Sequence, residues 1–243
     1  MNDLIEAVRR GPEATKEALE KDGIFYLAFE DRTISPLHVV EDVETAKLLL
    51  DHGFKVNESD SHVGKTPLHL TNKPDVAKVL IEAGADVNAK DRWGQTPLHL
   101  TRNADIAKML LENGADVEAR DNLGNTPIHG LRLIDKATVL LDHGADVNAR
   151  NNAGETPLHC VSDPHMAKLL IDNGANPLIQ DNAGKYPHSI VSPEQDASGY
   201  EKATIKAMIQ LSAIVLNATQ EHQRVTGQVN ADPAPTMKRS RRM

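Results

Sequence analysis

Aromatic residues are scarce, with three Phe, three Tyr and one Trp in 243 positions, 3% of the chain. A core built on rings is excluded, so whatever holds this protein together does so with aliphatic side chains. Cysteine is scarcer still. Cys160 is the single one and has no partner for an internal disulfide, which suits a reducing compartment and makes the cytoplasm the expected location. Long apolar runs are missing too: the longest, around Ala207 to Leu216, is broken by Gln210 and Ser212 and falls short of the roughly 20 residues a membrane span requires. The first ten residues, MNDLIEAVRR, place Asp3 and Glu6 where a secretory signal would have a basic end and an apolar stretch, so export by that route is not expected. Positive charge is in deficit, with 27 Lys and Arg against 35 Asp and Glu, a formal charge of -8. Nucleic acid is therefore not expected as the primary partner.

What is present is a repeat. The tetrapeptides Ser35-Pro36-Leu37-His38, Thr66-Pro67-Leu68-His69, Thr96-Pro97-Leu98-His99, Thr126-Pro127-Ile128-His129 and Thr156-Pro157-Leu158-His159 recur, followed by a worn copy at Tyr186-Pro187-His188-Ser189. Their prolines stand 31, 30, 30, 30 and 30 positions apart. Seventeen residues after each intact proline comes Gly53, Gly84, Gly114, Gly144 or Gly174, and just before the next motif comes Gly64, Gly94, Gly124, Gly154 or Gly184. Ten of 15 glycines thus fall in two slots, which marks them as backbone devices rather than spacers.

Each slot has a physical reason. Proline in the first turn of a helix forfeits no hydrogen bond, and a preceding Thr or Ser can cap the free amides, so the motif starts a helix. Asp75 to Ile81 then places apolar residues on one stripe of a second helix. Gly84 ends that helix, and the polar stretch Asn88 to Gln95 reads as a projecting tight turn. Ala46, Ala77, Ala107, Ala137 and Ala167 hold equivalent places in five second helices, so neighbouring helices are expected to approach closely there. No unit of this size can bury its stripe alone. The expectation is an all-α solenoid of stacked units, each held by its neighbours.

Thr-Pro-Leu-His-Leu, a second helix such as Val-Ala-Lys-Val-Leu-Ile-Glu-Ala-Gly, and Ala-Asp-Val-Asn-Ala-Lys-Asp together resemble the ankyrin repeat. The resemblance covers about residues 2 to 217 and implies a protein–protein interaction module. It implies an N-terminal capping repeat at 2–34, five repeats at 35–65, 66–95, 96–125, 126–155 and 156–185, and a capping repeat at 186–217. A tail at 218–243 with a basic end, Lys238 to Arg242, is expected to be disordered. The tail carries +3 and leaves -11 on the remainder, and its basic run is compatible with nuclear entry. The usual ankyrin period is 33; the missing residues fall between the motif histidine and the second helix, which predicts first helices of one to one and a half turns.

Chemistry is harder to find. Histidines recurring one repeat apart cannot share a metal, because stacked helices lie about 8–10 Å apart and zinc ligation requires nitrogen within roughly 2.1 Å. Each is expected to bond its own Thr or Ser and nearby backbone. Cys160 adjoins His159, a pair open to a nucleophile-and-base reading, but it occupies the place of Leu70 and Leu100, read here as core-facing. Neither a phosphate-binding glycine loop nor a metalloprotease motif is present. The expectation is no enzyme, no cofactor and no metal. Gly130 stands where other units have Val39, Leu70, Leu100 and Cys160; its neighbours Leu131, Leu133 and Ile134 are expected to fill the space, the alternative being a local gap or hinge.

Recognition is expected where the units differ. The hairpin tips carry Arg92, Trp93, Gln95, Asn122, Leu123 and Asn125. The ridge of short first helices adds Thr71, Asn72, Lys73, Thr101, Arg102, Asn103, Leu131 and Arg132. Trp93 beside Arg92 has the composition of an interface hot spot; equally, the indole could cover the adjacent hairpin. The expected partner is another protein, bound by a monomeric scaffold or adaptor. Masking of a target by an inhibitory array, or delivery into a host cell as a microbial effector, are the alternatives. The resemblance also aligns Asn57, Asn88 and Asn148 with asparagines that hydroxylases modify in ankyrin repeats, the plainer reading being that each bonds its own turn.

Overall fold

The computed structural model describes residues 2–22 and 34–187. Most of the proposed C-terminal cap, the tail and the junction at 23–33 lie outside the described residues. At the N-terminal end α1 (Asn2–Arg10) and α2 (Pro12–Asp22) pack against each other through Leu4, Val8 and Leu19. A single 3₁₀ turn, Pro36–Val39, precedes α3 (Val43–Asp51). The pattern then settles into one-turn and nine-residue helices in alternation: α4 (Pro67–Leu70), α5 (Pro74–Glu82), α6 (Pro97–Leu100) and α7 (Ala104–Glu112). The fourth unit has only a turn at 127–130 before α8 (Ile134–Asp142), and α9 (Pro157–Cys160) and α10 (Pro164–Asp172) follow. The shortened period is therefore taken from the first helices, as the missing three residues, nearly a full turn, require. Where Gly130 replaces a better helix former, even that turn is not helical.

Burial follows the repeat. Leu37, Leu68, Leu98, Ile128 and Leu158 from the motifs meet Leu49, Leu80, Leu110, Leu140 and Leu170 from the long helices in one continuous core. Each such leucine contributes about 1.5–3 kcal/mol by leaving water. The alanines Ala46, Ala77, Ala107 and Ala137 are completely enclosed and Ala167 nearly so, which lets adjacent long helices close up without side chains between them. At the end of α5, Gly84 takes φ +86, and Ala85 N–H then donates to Leu80 O at 2.9 Å, closing the helix with a left-handed residue.

Polar ladders join the units. Thr66 N–H donates to His69 Nδ1 at 3.1 Å, the Thr66 hydroxyl reaches the same nitrogen at 2.8 Å, and His69 Nε2 meets Gln95 O at 3.0 Å. An amide can only donate and a carbonyl can only accept, so the His69 ring carries its proton on Nε2 and accepts at Nδ1. His99, His129 and His159 repeat the arrangement onto Asn125, Glu155 and Lys185, and His38 reaches Lys65 O in the same way but takes no bond from the Ser35 hydroxyl. Burial, outweighing the bond to the next hairpin, holds His69, His99 and His129 below the ordinary histidine range.

A second ladder corrects the reading of the hairpin asparagines, which bond the next unit rather than their own turn. Asn57 Nδ2 donates to Gly84 O at 3.0 Å while Asp86 N–H donates to Asn57 Oδ1 at 2.8 Å; Asn88 and Asn148 do the same one unit on from each. Glu118 accepts from Asp146 N–H but, having no donor, gives no bond back.

Candidate functional site

The hairpin tips themselves form a third ladder. Arg92 N–H donates to Val63 O, Asn122 N–H to Trp93 O and Asn152 N–H to Leu123 O at 2.8–2.9 Å. Inside each tip a carboxylate gathers the turn: Asp91 accepts from the amides of Trp93 and Gln95 at 2.9 Å, and Asp121 from those of Leu123 and Asn125. The tips are thus fixed relative to one another by backbone, and their side chains stand in register.

That register divides the recognition residues read from sequence into two sets. Several are committed within the stack. The Arg92 guanidinium donates to the carbonyls of Ser61 and His62, and Asn122 Nδ2 donates to Arg92 O at 3.0 Å. Asn125 bonds Asp121 and accepts from Asn151, while Asn103 caps α7 by accepting from the amides of Asp105 and Ile106. Leu131 is only 7% exposed, so its place on the outer ridge is corrected: it belongs to the core. Gln95 is half-buried.

The remainder face outward. Trp93 is 51% exposed and Leu123, its counterpart one unit on, is 68% exposed. The Lys65 ammonium lies 5.6 Å from the centre of the Trp93 ring, so one face of the indole carries a cation while the rest is open. Asn72, Lys73, Arg102 and Arg132 are exposed on the ridge, and Thr71 and Thr101 sit lower in it. The histidine contacts to the following hairpin hold ridge and tips side by side.

The slot after the motif histidine was read as core-facing, and this is also corrected. Leu70 and Cys160 are exposed, and Val39 and Leu100 are half-buried. The reason is geometrical: residues two apart on a helix point about 200° from each other, so with Leu68 in the core Leu70 must face away. Although Cys160 reaches the surface, desolvation and then the Glu155 carboxylate push its thiol up to about 11. It is a poor thiolate at neutral pH, which removes the main support for a nucleophile.

Gly130 resolves in favour of the gap. Of the three neighbours expected to fill the space, Leu131 is buried in the core but Leu133 and Ile134 are exposed, and a Cβ built on Gly130 would have no neighbour within 4 Å. A cavity of about 470 Å³ opens there, with Leu100, Arg102, Gly130, Arg132, Leu133 and Lys136 among its lining residues.

Lys136 is the residue missed from sequence. It occupies the place of Thr45, Val76, Ile106 and Met166 in the other long helices, all buried and none of them charged, yet here it is a lysine only 5% exposed. Its Nζ donates to His99 O at 3.1 Å, and burial pushes its ammonium down to about 8. The signal was available, because aligning the units one position before the alanine slot shows a cation in an otherwise uncharged column.

Among the described residues no cluster of three or more metal-ligating side chains occurs, and no helix is long and apolar enough to cross a membrane. The arrangement is that of a stacked helix–turn–helix solenoid displaying hairpins along one edge. The family described as "Ankyrin repeats (3 copies)" matches residues 4–91, and two described as "Ankyrin repeats (many copies)" match residues 80–130 and 134–171. The chain belongs to the ankyrin-repeat proteins, whose repeats are general protein–protein interaction modules and typically non-catalytic. No curated protein matches it.

Proposed function

We propose that this chain is a non-catalytic scaffold or adaptor that docks a protein partner across its hairpin tips and the adjoining ridge of one-turn helices. The observation that carries this reading is the pair Trp93 and Leu123, large apolar side chains left in water at matching positions of consecutive tips. Large aromatic anchors surrounded by polar neighbours are the usual energetic centre of an interface. Backbone bonds between tips hold the two in fixed register, so little conformational entropy is lost on binding. The protonated thiol of Cys160 and the structural use of the motif histidines favour recognition over turnover. A lone cysteine suits the cytoplasm, with the basic tail available for nuclear entry.

The test compares proteins captured from a cell extract by the wild-type chain and by the double variant Trp93→Ala, Leu123→Ala. Both substitutions lie at exposed tips, so the helical circular-dichroism signal is expected to stay unchanged while capture is lost by at least tenfold. Equal capture by the double variant rejects the proposed face. Absence of any specific capture by the wild-type chain rejects the scaffold reading itself.

A further inference from the structure

Two departures from the repeat coincide at one place. In the fourth unit the side chain after the motif histidine is deleted, at Gly130, and a core position of the following helix is turned into a lysine, at Lys136. Either alone would be a local irregularity. Together they form an open cavity with a buried ammonium against it, and two arginines one repeat apart, Arg102 and Arg132, stand at the same cavity.

The charge balance there is unfinished. Among the described residues no acidic side chain lines the cavity, and neither Arg102 nor Arg132 makes an ion pair. Lys136 spends one donor on His99 O, leaving two of its three without an acceptor among the described residues. Three cations gathered without a counter-ion are the reverse of the chain as a whole, whose formal charge is -8. Buried charges are normally paired, and a buried polar donor normally has an acceptor. Both rules are met if the missing acceptor arrives from outside.

Resting on the scaffold reading above, we infer that this cavity is the specificity pocket of the interface and receives the carboxylate of an Asp or Glu side chain from a peptide segment of the partner. The fork of a guanidinium matches a carboxylate with two parallel bonds, and the lysine supplies a further donor from below. Leu133 and Ile134, exposed beside the cavity, select an apolar neighbour to the acidic residue. An acidic residue flanked by an apolar one is thus the recognised pattern. Gly130 lines the opening and presents no side chain to it, and a Cβ there would meet nothing within 4 Å.

The experiment pans a displayed library of random twelve-residue peptides against the full wild-type chain, then measures affinities of enriched peptides made singly. The enriched peptides are expected to share an Asp or Glu next to an apolar residue, and replacing that acid by its amide should weaken binding at least tenfold. Lys136→Met, which installs the residue found naturally at Met166, and the exposed double variant Arg102→Gln, Arg132→Gln should each weaken binding to the same degree. Enrichment of peptides with no common acidic position, or equal affinity for Lys136→Met, overturns the pocket while leaving protein recognition standing. Displacement of the peptide by inorganic phosphate at concentrations where acetate has no effect overturns the carboxylate assignment. Failure of the wild-type chain to enrich any peptide overturns the pocket and, together with failed capture by the hairpin face, the scaffold reading as well.

Discussion

Lys136→Met is expected to stabilise the protein by about 2–3 kcal/mol at pH 7. The lysine is held at about 8 against an ordinary value of 10.5, with burial as the only cause. A difference of that size corresponds to about 3 kcal/mol between the charged and neutral forms. The sign follows from proton counting. Below pH 8 the ammonium is charged in both the folded and unfolded chain, and its full burial cost opposes folding. Between pH 8 and about 10.5 the unfolded chain holds more protons than the folded one, so stability from this group rises with pH. Cys160 acts oppositely, because its thiol stays protonated to about 11 in the folded chain against 9.0, and stability is lost from it as pH rises through that window. The difference between wild type and Lys136→Met cancels the cysteine. That difference should be largest at pH 7 and shrink to near zero by about pH 10.5, as read from urea unfolding at each pH. A flat difference across this range would show that Lys136 is not held charged in a desolvating site. A residue that opposes folding at working pH is what a binding pocket, and not a structural column, would keep.

Gly124→Ala is expected to cost about 3 kcal/mol, and Gly114→Ala about 1 kcal/mol. Both glycines hold left-handed backbone, at φ +77 and +87, so both substitutions bear the same local strain. Their surroundings differ. A Cβ on Gly114 meets nothing within 4 Å, whereas one on Gly124 would stand 2.8 Å from the backbone nitrogen of Asn152, in the next tip. Relief requires the tips to separate, breaking Asn152 N–H to Leu123 O and Asn152 Nδ2 to Asn122 O. Equal losses in the two variants, measured by the same denaturant titration, would mean that the tip ladder contributes nothing to stacking.

The solenoid was readable in the chain because every constraint that builds it is local and recurs: proline at a helix start, glycine at a helix end, alanine where helices touch. The use of the histidines was readable as well, since a ring that follows Thr-Pro by a fixed interval has few other partners. The outward slot at Leu70 and Cys160 was not. The apolar character of Leu70 and Leu100 pointed to the core, whereas the 200° between residues two apart on a helix turns the slot away from it. The commitments of Arg92, Asn122 and Asn125 were also hidden, because a polar side chain at a tip reads the same whether its partner is solvent or a neighbouring hairpin 26 to 31 residues away. Of the neighbours expected to fill the space at Gly130, the backbone turns Leu133 and Ile134 outward and only Leu131 inward. Lys136 could have been found by comparing columns of the repeat instead of motifs, and it is the residue on which the pocket turns.

The central claim is that each unit is held by its neighbours through interchangeable interfaces, leaving one edge free for recognition. It is tested most directly by duplicating residues 96–125 in tandem and measuring solution X-ray scattering together with unfolding. The account predicts a folded chain, longer in maximum dimension by about 8–10 Å and at least as stable as the parent, because one more layer and one more interface have been added. An unfolded chain, or one that absorbs 30 extra residues without lengthening, would contradict it.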